Sequence, residues 1–180
     1  MSRPSLIFVL VEDRRQQEFA RRFLAKAGYK RHSMRFAPLP GPRGAGEQWV
    51  CARYAENLGA YRQRASRAKS ALLVVIDADL ESVDRRQTQL REAAEKAAID
   101  PRGETEHVAH FIPRRNIETW ILCLADIQVD EDTDYHQHDR IDDLLTNAAD
   151  TFYLWTRRNA AVPSTCVPSL SQGIADAKRL

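Results

Sequence analysis

Hydrophobic positions in this chain follow two different periods. Apolar runs within residues 5–11 and 71–76 each end at an acidic residue, as strands covered on both faces do, and the mostly apolar segment 107–112, halted by Pro113, reads as another strand. Residues 30–37 read as a further, more exposed strand. Between the runs, apolar side chains recur at helical spacing: Phe19, Phe23, Leu24 and Ala27 within 14–27, and Val50, Tyr54, Leu58 and Tyr61 within 47–67. Val83, Leu90, Ala94 and Ala97 do the same within 83–98. Gly28 stands where a helix ends, and Asn116 where the helix over 117–124 begins. The segment 38–46, rich in proline and glycine, is a loop. This β-α-β-α-β-α-β-α order predicts an α/β fold: a mostly parallel four-stranded sheet flanked by helices.

Beyond Asp126 the pattern weakens. Residues 130–143 are crowded with carboxylates and carry His136 and His138, which reads as a solvated acidic loop. Two more helices are predicted over 139–155 and 169–180, joined by a linker at 163–168. The chain therefore divides into a main α/β domain, 1–126, and an acidic loop with a small helical C-terminal extension, 127–180.

Composition narrows the class. A chain of 180 residues, 43% hydrophobic and 29% charged, has the size of one globular domain and enough apolar material for a core. Its apolar runs are far shorter than the roughly 20 residues of a membrane helix, and no secretory signal is readable. Cys51, Cys123 and Cys166 are odd in number and widely spaced, which excludes a disulfide framework and a CxxC zinc site and leads us to expect a cytoplasmic protein. The formal net charge of +2 conceals an asymmetry. Residues 1–70 hold 15 Lys/Arg against 5 Asp/Glu, whereas residues 71–180 hold 12 against 20. A basic half can attract phosphate backbones and an acidic half can hold cations.

In open parallel sheets, ligands collect beyond the carboxyl ends of the strands. The first strand delivers Glu12 and Asp13 there, the third Asp77, Asp79 and Glu81, and the fourth Arg114, Arg115, Asn116 and Glu118. Carboxylates converging from different strands repel one another unless a cation lies between them, and oxygen ligands suit Mg²⁺ or Mn²⁺. Asp77, Asp79 and Glu81 share one side if the chain stays extended through them. If the fourth strand adjoins the first, Glu118 supplies a further ligand and Arg114 meets a phosphate. Arg53, Arg62, Arg64 and Arg67, with Arg114 and Arg115, are the candidate nucleic-acid contacts. Trp49, Trp120 and Trp155 sit at helical positions and read as core or interface. The glycines of 41–46 lack the Gly-Lys-Ser/Thr ending of a phosphate loop.

A glutamate closing the first strand and the string Asp77-Ala-Asp79-Leu-Glu81 closing a later one resemble the Toprim domain, over roughly residues 5–125. That Rossmann-like family includes topoisomerase and primase catalytic domains and the overcoming-lysogenization-defect (OLD) nucleases. The resemblance implies a Mg²⁺- or Mn²⁺-dependent nuclease with Glu12, Asp77, Asp79 and Glu81 as catalytic residues, and Glu12, Asp77, Asp79 and Glu118 as metal ligands. The sequence shows no topoisomerase tyrosine domain or primase zinc module, so those two activities are not implied. The segment Ile112-Pro-Arg-Arg-Asn-Ile-Glu118-Thr-Trp120 is similar to small stand-alone Toprim-like proteins of bacterial defence loci. That likeness implies antiphage defence and an ABC- or OLD-like ATPase partner, either for a nuclease or for a Toprim-fold interaction subunit with little catalysis of its own. The opening Val9-Leu-Val-Glu-Asp13 also resembles a two-component receiver domain. Against this, Asp77 lies 64 residues beyond Asp13, too far for a receiver's phosphoacceptor, and Ile112-Pro113-Arg114 carries no lysine.

Overall fold

A computed structural model of the chain describes residues 4–41 and 46–180; residues 42–45 of the glycine-rich loop lie outside the described residues. The strands are β1 (Leu6–Leu10), β2 (Met34–Phe36), β3 (Ser70–Val75) and β4 (Val108–Phe111). The helices are α1 (Arg14–Lys26), α2 (Gly46–Ala65), α3 (Val83–Lys96), α4 (Ile117–Leu124), α5 (Ile141–Trp155) and α6 (Pro168–Ala177). All strand pairs are parallel, in the order β2-β1-β3-β4. Leu10 pairs with Val74 and Val75 with Phe111, so β1, β3 and β4 end side by side. The predicted second strand over 30–37 is shorter than its sequence run. Arg31–Ser33 forms a 3-10 turn, and only Met34–Phe36 pairs with β1.

Alternation along the strands sorts the core into two layers. Ile7, Val9, Val11, Leu73 and Val75 face α1, α4, α5 and α6, whereas Leu10, Leu72, Val74 and Ile76 face α2 and α3. Every residue of β3 is buried, as its unbroken apolar run requires of a central parallel strand. α1 begins at Asp13, whose carboxylate accepts the Gln16 N–H at 2.8 Å, and Gly28 follows the helix at φ 92°. That left-handed angle is one glycine adopts without steric cost.

The C-terminal extension belongs to the same core. Phe152 of α5 lies edge-on to Phe19, Phe23 and Phe111 at centroid distances of 5.1–5.4 Å and stacks on Trp120. α6 approaches Trp120 through Gly173, where a Cβ would fall 2.2 Å from the indole Cη2. The Trp120 Nε1–H donates to Ser169 Oγ at 2.8 Å. The boundary after residue 126 thus marks a change in sequence pattern and not a break in packing. No helix among the described residues is long and apolar enough to cross a membrane.

Candidate functional site

The chain leaves β1 at Val11 and meets Glu12 at the carboxyl edge of the sheet. Its carboxylate does what the next backbone carbonyl of a longer strand would do: Oε2 accepts the Asp77 N–H at 2.8 Å. Gln16, one helical turn on, holds the same oxygen through its amide at 2.9 Å and accepts the Glu12 N–H through its own Oε1. Both bonds fall on Oε2, and Glu12 helps line the cleft. Gly46, the first residue of α2, closes against this glutamate, and a Cβ there would come within 2.9 Å of the Glu12 Cβ.

Asp77 follows β3 directly and is buried, with only 8% of its surface exposed. Its Oδ1 lacks a hydrogen-bond partner among the described residues, a costly condition for a buried carboxylate oxygen. Burial, and then the charges of Glu12, Asp13, Glu118 and Asp79, push the Asp77 carboxyl well above the ordinary carboxylate range. Glu12 is raised to about 7, chiefly by burial and further by Asp79, against the lowering effect of its bonds to the Asp77 N–H and Gln16 and of the Arg86 charge. The two acids open into a cleft of about 820 Å³, whose wall includes Asp13, Asp79, Glu81, Arg86, Asn116 and His136.

The sequence string 77–81 is not extended. A turn closes from the Glu81 N–H to the Ala78 carbonyl at 2.9 Å, with Asp79 in the left-handed region at φ 55°. This corrects the expectation that the three acids share one side of a strand. Asp79 and Glu81 stand exposed on the rim of the cleft, and Asp77 alone turns into the protein. Leu80, at the turn's tip, is 84% exposed.

Glu118 lies at the start of α4 but does not line the cleft. It is buried, with Arg15 Nη1 donating to its Oε1 at 2.6 Å and His136 Nδ1 3.2 Å from the same oxygen. Arg114 is held by the Glu81 carbonyl and by Asp132, and Arg115 by Asp134 at 3.6 Å. The arginines of α2 lie further away. This helix starts beside Glu12 and runs back toward the amino ends of the strands, so Arg62 and Arg64 stand at the far end from the cleft, about 25 Å along the helix. Arg62 grips Glu106 and the carbonyls of Asp100 and Pro101, Arg64 lies over the Phe8 ring, and Arg53 lies over Trp49. Arg67, just past the helix, is exposed at the same far end, where it flanks Leu6 and Ser70.

Two site residues carried a sequence signal that the apolar periods alone passed over. Arg86 occupies a core position of α3, in register with Val83, Leu90 and Ala94, and is 1% exposed. It donates to Glu47, to Gln89 at 2.7 Å and to Asp79 at 3.4 Å, while its buried Nε has no partner among the described residues. A charged residue in an apolar stripe signals a buried ion pair. Gln16 is the other. It sits three residues after Asp13, the spacing of a capping box, and is fully buried in α1.

Among the described residues, no three His, Cys, Asp or Glu side chains converge closely enough to enclose a metal ion. Mg²⁺ does not require such a cage, because one or two carboxylates with waters and substrate phosphates suffice. Glu12 and Asp77 fit that smaller demand: a desolvated acid pair with one orphaned oxygen, opening into a polar cleft. Fold and site together define an open parallel α/β domain with a carboxylate cleft at the carboxyl ends of its central strands. No protein-family model matches this chain, nor does any of the curated proteins or solved structures compared with it.

Proposed function

We propose that this chain is a Toprim-like, metal-dependent nuclease, with Glu12 and Asp77 as the ligands of one Mg²⁺ or Mn²⁺ ion. One observation carries the reading: acids from adjacent strands meet in one desolvated corner of the cleft, Glu12 half-buried and Asp77 buried, and the Asp77 Oδ1 has no hydrogen-bond partner among the described residues. Two acids serving only to cap strand ends would gain nothing from this desolvation, and Asp77 Oδ1 would be bonded. When bound, the ion supplies a water of lowered pKa and neutralises charge on a phosphoryl oxygen.

The chain's own residues do the rest. The Asp77 N–H and Gln16 fix the Glu12 carboxylate through Oε2, so it is held in one orientation. Without the ion Glu12 holds its proton up to about pH 7, so taking up the ion would release that proton and binding should strengthen as pH rises. Asp79 and Glu81 on the rim repel a bare phosphate backbone, and so favour entry of phosphate together with its counter-cation. Arg86 ties Asp79 of the 77–81 turn to Glu47 of α2 through one guanidinium nitrogen and so holds these two parts of the cleft together.

The test is cleavage of plasmid and oligonucleotide substrates with Mn²⁺, using the wild type and Asp77→Asn, each with and without an ATPase encoded alongside. The nuclease reading expects Asp77→Asn to lose activity by about a hundredfold or more while remaining folded. Equal cleavage by the two proteins sinks it. A second reading, an interaction subunit of an ATPase complex, draws on Leu80, an apolar side chain exposed at the cleft rim. It prevails if neither protein cleaves in any combination and the ATPase still binds.

A further inference from the structure

On the outer side of α2 and α3 lies a second cavity of about 470 Å³, within the range of small-ligand pockets. Its floor is small and apolar, built from Cys51 and Ala55 of α2 and Ala93 of α3, with Ala52 and Ala97, just past α3, exposed at its edge. Its rim is polar, with Gln48, Glu92 and Lys96. This slot is continuous with the acid cleft, since Glu47, Arg86 and Gln89 line both. The residue at their junction is Arg86, almost wholly buried, with an Nε that finds no partner among the described residues.

We infer that the α2–α3 slot receives one unstacked nucleobase of the substrate whose phosphate lies in the acid cleft. The inference rests on the nuclease reading and names its substrate class: a single strand, or a nucleotide turned out of a duplex. Three features select a base over other occupants. The slot is apolar on its floor and offers amide, carboxylate and ammonium groups at its edge, which matches a flat ring with polar edges. The charges that line it, Glu47 and Glu92 against Arg86 and Lys96, cancel, as suits a neutral group. It begins where the acid cleft ends, so base and phosphate of one nucleotide can occupy both at once. A duplex, with its bases stacked and paired, cannot place one there without extruding it.

Cys51 provides a readout that needs no catalysis. Its alkylation by iodoacetamide at alkaline pH, followed peptide by peptide with mass spectrometry, is measured with Mg²⁺ and either 5′-AMP or ribose 5-phosphate. The slot predicts that 5′-AMP slows Cys51 labelling roughly tenfold, that ribose 5-phosphate does not, and that Cys123 and Cys166 label at unchanged rates. Ala52→Trp fills the slot from an exposed helix position, so the fold survives, as a thermal melt checks. In that variant 5′-AMP binding, followed by calorimetry, should fall roughly tenfold. Equal protection by both ligands, no protection by either, or undiminished binding to Ala52→Trp overturns the inference. Protection of Cys51 by an added ATPase subunit but not by 5′-AMP also overturns it, making the slot a protein-docking groove. Cleavage that depends on Asp77 without Cys51 protection leaves the nuclease standing and the slot refuted. Protection in a chain that never cleaves does the reverse.

Discussion

The acid pair at the carboxyl end of the sheet and the ion pairs elsewhere in the fold treat the same residue types in opposite ways. At the far end of α2, Glu106 accepts Arg62 Nε and Nη2 at 2.7 and 2.9 Å and the Gly103 N–H at 2.6 Å, and its carboxyl is lowered. On α5, Asp150 takes Arg22 and Lys26, both at 2.8 Å, and is lowered too. These acids have partners that favour their charged form. Glu12 and Asp77 are raised, since burial outweighs the few bonds they receive. The difference also accounts for the lopsided charge of the sequence. Arg15, Arg22, Lys26 and Arg62 of the basic half each find a carboxylate of the acidic half, so much of that asymmetry is spent inside the fold.

Substitutions can push on each side of this contrast. The largest effect is expected in catalysis, where Glu12→Gln should lower Mn²⁺-dependent cleavage by about a hundredfold or more. Retention of full activity would remove Glu12 from the mechanism. Next comes stability against pH. Below pH 4.5 Glu12 is protonated in both folded and unfolded chains, and its contribution is fully present. Between pH 4.5 and about 7 the unfolded chain ionises while the folded one holds its proton, so stability of the metal-free protein should fall through that window. The loss attributable to Glu12 is on the order of 3 kcal/mol. Urea titrations from pH 4.5 to 8 should show Glu12→Gln with a flatter profile than wild type; parallel profiles would contradict the desolvated-acid account. Glu106 and Asp150 behave oppositely, stabilising above the ordinary carboxylate pKa and losing that contribution as pH falls through their lowered values. The smallest effect belongs to the far end. Glu106→Gln should cost about 1 kcal/mol at pH 7, because both partners are partly solvated, and should leave cleavage unchanged. A loss of cleavage there would break the division between the two ends.

Much of the fold was legible because periodicity and burial coincide. The run at 71–76 is apolar at every position and became the central strand, and Asn116 caps α4 through the Thr119 N–H as its type and position imply. Glu12 and Asp77 were legible for a topological reason: both directly follow apolar runs that a parallel sheet must align. The rest depended on information that spacing does not contain. The turn that separates Asp79 and Glu81 from Asp77 rests on one left-handed residue, and an aspartate adopts that angle more readily than most without a sequence mark. Glu118 was expected in the cleft, yet Arg15, 103 residues earlier, claims it. Likewise the charge of 1–70 suggested a nucleic-acid face, whereas Arg62 is committed to Glu106. Long-range pairing of this kind follows from the packing of α1 on α5 and of α2 beside the 97–107 loop, which no local period encodes.

The central claim is that Glu12 and Asp77 together hold a divalent cation. Crystals soaked in Mn²⁺ test it directly through the anomalous signal of the ion. The account predicts one peak in the acid cleft within coordination distance, about 2.0–2.2 Å, of Asp77 Oδ1 and Glu12 Oε1, absent from crystals of Asp77→Asn. No peak at the pair in wild-type crystals, or a peak there that survives Asp77→Asn, would contradict it.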